Sequence, residues 1–142
     1  MAVIEQRCGV QEVSREAART ELARFFTVME TAEKAPEMFS AYIDAEWHRL
    51  LGSREYEALC LEAVGRLVGH RADAGQGTPS WLEVYHERYG NLPRVWFADA
   101  EGTVDEEMYK RYLATRVSGQ RAEQRPLIVS WDCTPTTNDE DE

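Results

Sequence analysis

The chain is poor in several features that would place it in a familiar class. It holds 3 cysteines in 142 residues, and Cys8, Cys60 and Cys133 form an odd, widely spaced set unlike a secreted disulfide framework. They read as reduced thiols of a cytoplasmic protein. No apolar run approaches the roughly 18 residues of a membrane span, and Glu5, Arg7 and Gly9 interrupt the stretch a signal peptide would keep apolar. Positive charge is scarce as well. Sixteen Lys and Arg against 26 Asp and Glu give a formal net charge of -10, which repels phosphate backbones and anionic headgroups, so neither nucleic acid nor a membrane surface is an expected partner. The spacings that announce zinc most strongly, Cys-x-x-Cys and His-Glu-x-x-His, are also absent.

What is present suits one core. With 43% hydrophobic residues, a chain of this length fills one domain where two would each be marginal. We expect that domain over residues 1–133, followed by a disordered acidic tail over residues 134–142, which has no large apolar side chain and ends in four acids.

Periodicity predicts mostly helix. From Ser14, a natural N-cap, Ala18, Leu22, Phe25 and Met29 recur at helical spacing, implying a helix to about residue 35 before Pro36. A second helix is expected over residues 37–51, burying Phe39, Ile43, Trp47 and Leu50, and a third from Ser53 to about Val64, burying Tyr56, Leu59, Cys60 and Ala63. Their short connection predicts an antiparallel hairpin. Residues 65–77, with four glycines, read as a loop. Thr78 and Pro79 would start a fourth helix that Gly90 stops. Residues 94–98 read as a short strand, Thr103 and Glu106 as the capping box of a fifth helix, and residues 127–131 as a second strand pairing with the first. The expected fold is therefore mainly α, a single domain of about five helices with a small two-stranded β ribbon.

One stretch concentrates chemistry. Asp44 and His48 lie four apart on one helix and project from the same face, a bidentate arrangement. Cys60 on the next helix and His70 in the glycine loop would complete it. Carboxylate, imidazole and thiolate together suit zinc. The structural alternative is a buried Cys60 acting as a small hydrophobe and a His48 satisfied by a neighbouring carboxylate.

These residues carry a resemblance. Tyr42, Asp44, Trp47 and His48, then Tyr56, Cys60, Gly65 and His70, resemble the Trp-His motif region of the glycine-rich-domain-containing proteins, over residues 40–72. The segments around Trp96 and around Trp131 and Cys133 are similar to small actinobacterial proteins sharing that Trp-His core. The resemblance implies a shared fold and brings no reaction with it. Where family members often carry further histidines, this chain has Arg49, Leu50 and Gly69.

Other constellations are weaker. Cys60 or Cys133 with His48, His70 or His86 would make a nucleophile pair, but a thiol on an apolar stripe is inert. Glu106 and Glu107 look like first-turn helix charges, so no catalytic residue is assigned. Most of the aromatic residues fall at core positions. Trp96 and Trp131, on expected strands beside polar turns, are candidates for a partner surface. Three readings of function follow. The first is a small cytoplasmic binding or accessory protein with a structural Asp44, His48, Cys60 and His70 centre, zinc being the ion it would take, and another protein as partner. The second is a metal-dependent enzyme using the same Asp/His/His cluster. The third is an acidic protein that occupies a basic partner.

Overall fold

A computed structural model of the chain describes residues 13–31, 36–117 and 127–136. Among them are five α-helices, α1 (Arg15–Met29), α2 (Ala41–Leu50), α3 (Arg54–Val64), α4 (Leu82–Tyr89) and α5 (Glu106–Val117), and two strands, β1 (Gly69–Gly77) and β2 (Val129–Thr136). The strands form one antiparallel ribbon. The mainly α domain with a small ribbon is the fold observed. No described helix is long and apolar enough to cross a membrane.

Serines start three helices by the same device. The Ser14, Ser40 and Ser53 side chains accept from the backbone N–H of Ala17, Ile43 and Tyr56, each satisfying a first-turn donor that the helix itself leaves unpaired. Gly65 ends α3 at φ 80°, a left-handed geometry that glycine adopts without Cβ strain. Helices α2 and α3, expected to pack on one another, make their main contacts with α1 instead.

Phe25 of α1 is the hub of the core. Its ring lies 6.1 Å from Trp47, 5.3 Å from Trp81 and 5.8 Å from Trp96, all fully buried. Each indole N–H has an acceptor: Trp47 donates to the Tyr56 hydroxyl, Trp81 to the Glu37 carbonyl and Trp96 to Glu21 Oε1. Unpaired, each would cost about 1–3 kcal/mol. Glu21, itself buried, also accepts from Tyr85 at 2.5 Å and from Arg24 at 3.2 Å, which satisfies its carboxylate inside the core.

Several sequence expectations are corrected here. Helix α1 stops at Met29, and residues 32–35 lie outside the described residues. Helix α2 begins at Ala41 instead of residue 37, because Glu37 Oε1 accepts from the Ser80 backbone and hydroxyl while Met38 pairs with Cys133, which keeps this stretch extended. Helix α4 begins at Leu82, the Ser80 N–H being committed to Glu37. Asp105 closes the first turn of α5 by accepting from Met108 N, while Thr103 N donates to Asp99 Oδ1.

The β assignments change most. Residues 94–97 form a 3₁₀ turn. Val95, Trp96 and Phe97 are all buried, and a strand would send alternate side chains to opposite faces. The presumed glycine loop is β1, and β2 pairs with it. Thr134 and Pro135, placed in the tail by the sequence, are buried within β2, and residues 137–142 lie outside the described residues. Trp96 is 0% exposed, although it is among the residues lining a groove with Phe39, Phe97 and Val129. Trp131 is half-buried, and its indole covers Gly75 across the ribbon, so closely that a Cβ there would sit 2.8 Å from the ring.

That contact yields a test by double-mutant cycle. Gly75→Ala should cost about 1–3 kcal/mol in denaturant melts through overpacking, and almost nothing when Trp131→Ala is already present. Equal costs in both backgrounds would show that the indole does not rest on Gly75.

Candidate metal centre

The centre is assembled by three elements. Asp44 and His48 stand one turn apart on α2, His70 is the second residue of β1, and Cys133 lies in β2. Helix α2 is amphipathic at this point: Trp47 turns into the core while Asp44 and His48 remain toward its boundary. The chain then reaches β1 through a hydrogen-bonded relay. Trp47 Nε1 donates to Tyr56 Oη, and Tyr56 donates at 2.5 Å to the carbonyl of Val68, two residues before His70.

Asp44 Oδ1 is the point of convergence. His48 Nδ1 lies 3.4 Å from it and His70 Nε2 3.6 Å from it, and Cys133 Sγ donates a hydrogen bond to it at 3.0 Å. The two imidazole rings meet edge to face at 4.3 Å, and the His70 ring stands against Trp47 at 4.5 Å. Ligand atoms of Asp44, His48 and His70 all lie within 4.8 Å of one another. In a tetrahedral zinc site with bonds of 2.0–2.3 Å, neighbouring donors are about 3.3–3.8 Å apart. The two carboxylate–imidazole separations fall in that range.

The electrostatics are lopsided. Burial opposes ionisation of Asp44, but the approach of His70, the Cys133 hydrogen bond and the electrostatic attraction of the two neighbouring imidazoles outweigh it, and the carboxyl is held below its ordinary value. Such a group stabilises the fold above its unfolded-state range, and that contribution disappears as pH falls through the folded value. The same neighbourhood pushes the Cys133 thiol far up, first by burial and then by the adjacent carboxylate. His70 Nε2 is enclosed and faces Asp44 Oδ1 at 3.6 Å, longer than an ordinary hydrogen bond. His48 is the open side, with its side chain 53% exposed and Nδ1 also 2.9 Å from the Asp44 carbonyl.

Of the four residues picked from the sequence, Asp44, His48 and His70 come together and Cys60 does not. Cys60 is fully buried beside the Tyr56 hydroxyl and the Val68 backbone, and burial raises its pKa as an inert thiol's. It faces the relay that sets β1. The thiol at the centre is Cys133, which the sequence reading weighed as a nucleophile partner of these histidines but left out of the metal set, because only the β1–β2 register, with Ala72 opposite Cys133, carries it there. No family model matches the chain, and no curated protein or solved structure matches it either.

If the relay sets His70, removing its middle hydroxyl should be felt twice. Tyr56→Phe leaves the Trp47 N–H and the Val68 carbonyl buried and unpaired, an expected loss of about 2–4 kcal/mol in denaturant melts. A loss below about 0.5 kcal/mol would show that water replaces the hydroxyl and that the relay does not hold β1.

Proposed function

We propose that this chain is a small cytoplasmic accessory protein, acting on another protein, whose Asp44, His48 and His70 centre binds one divalent transition ion with a structural role. The observation that carries this reading is the convergence of two imidazoles from different elements on one carboxylate oxygen, with His70 Nε2 enclosed and facing that oxygen at 3.6 Å, beyond ordinary hydrogen-bond length. A metal bond would satisfy this enclosed nitrogen and the carboxylate together. The ion would fasten β1 to α2 and so join the ribbon to the helical core. The acidic composition favours a protein over a polyanion as partner, and free buried Cys60 and Cys133 fit a reducing compartment. The likeness to the Trp-His region of the glycine-rich-domain-containing proteins belongs to the same reading.

A metal-dependent enzyme is the second reading. One observation favours it: the His48 side chain is 53% exposed, so an ion held by Asp44, His48 and His70 would be reachable from solvent, as catalytic zinc is.

Thermal melts test metal binding itself. Zinc at about 100 times its dissociation constant should add about 2.7 kcal/mol, raising the midpoint by roughly 5–10 °C, and a chelator should reverse the shift. His70→Ala and His48→Ala should lose most of the response. Midpoints unchanged by zinc and by chelator in the unaltered chain would defeat the proposal.

A further inference from the structure

Resting on the metal reading above, we infer that Cys133 is the fourth ligand of the centre, completing a set of one carboxylate oxygen, two imidazole nitrogens and one thiolate that takes a thiophilic ion of the zinc type. Cys133 is 2% exposed and its thiol already sits 3.0 Å from Asp44 Oδ1, the oxygen that both imidazoles flank. Its backbone is fixed from two sides: it pairs with Ala72 of β1 on one edge and receives a hydrogen bond from Met38 N at 3.2 Å on the other. The α-carbon therefore stays beside the centre.

Without the ion, the sulfur serves as a donor to Asp44 and lies outside the compact group formed by Asp44, His48 and His70. A change of χ1 well moves a cysteine sulfur by roughly 3 Å, enough to exchange the carboxylate for the metal. The step is a simple replacement. The divalent ion forms a bond to sulfur, the S–H bond breaks, and the proton leaves to solvent. Asp44 Oδ1 gives up the S–H hydrogen bond and accepts the metal in its place, with no change of oxidation state.

Charge and donor softness favour this arrangement. One carboxylate and one thiolate neutralise a divalent ion, so the half-buried complex carries no net charge, whereas Asp44 alone would leave a net positive charge beside the core. Magnesium and calcium prefer six or more oxygens and would gain nothing from a thiolate. Four protein ligands also close the coordination sphere, which makes the site structural.

Cobalt(II) titration of the full chain under reducing conditions tests the assignment. The expected result is tetrahedral d–d absorption in the visible together with a sulfur-to-cobalt charge-transfer band in the near ultraviolet. Cys133→Ser should lose the charge-transfer band and weaken cobalt binding by about tenfold or more. The double variant Cys8→Ser, Cys60→Ser leaves Cys133 as the sole cysteine and should keep the band, which preserves the test if Cys133→Ser does not fold. Visible bands without charge transfer in the unaltered chain would overturn the Cys133 assignment and leave the Asp/His/His site standing. So would a band that disappears in the double variant while its circular dichroism and cooperative melt stay those of the unaltered chain. No cobalt bands at all would overturn the metal reading along with it.

Discussion

The indole N–H of Trp47 is the constraint on which the centre depends. The ring is fully buried against Phe25 and Phe26, and so its one donor must find an acceptor within the core. Tyr56 supplies it, and the tyrosine's own proton passes on to the Val68 carbonyl. This relay connects α2, α3 and the start of β1 through three side-chain and backbone groups in line. Because Val68 is held, His70 arrives beside Asp44 with its ring edge on the same indole that begins the relay.

The rest of the core repeats this rule on a larger scale. The three largest fully buried side chains are tryptophans, and each donates its N–H to a partner distant in the chain, Tyr56, Glu37 and Glu21. Glu46, also buried, pairs with Arg19 of α1 and Arg49 of α2. Acidic side chains therefore act inside the molecule as well as on its surface. The formal charge of -10 overstates how much negative charge faces solvent.

Local signals in the sequence were legible and non-local ones were not. Ser53 and Gly65 mark both ends of α3 because capping depends on residues within one turn, and the spacing of Asp44 and His48 follows from the helical period alone. Strand β1 was hidden. Its residues, Gly, His, Arg, Ala, Asp and Gln, show no apolar alternation, and they form a strand only because β2 satisfies their backbone. Reading those residues as a loop cost the register with β2, and with it Cys133. Cys60 was chosen instead because helix spacing could suggest it, although its thiol faces inward to Tyr56. Trp96 was read as a candidate partner contact for a related reason. A 3₁₀ turn buries consecutive side chains that a strand would divide between two faces.

The account holds that the centre is a binding site for an ion and that the ion fastens the ribbon to α2. Native mass spectrometry of the full chain, purified without added metal, measures this most directly. The account predicts a dominant species heavier than the polypeptide by one divalent transition ion, and the bare polypeptide mass after mild acid or chelator. A chain that appears only at its bare mass, and still does so after incubation with zinc, would contradict it.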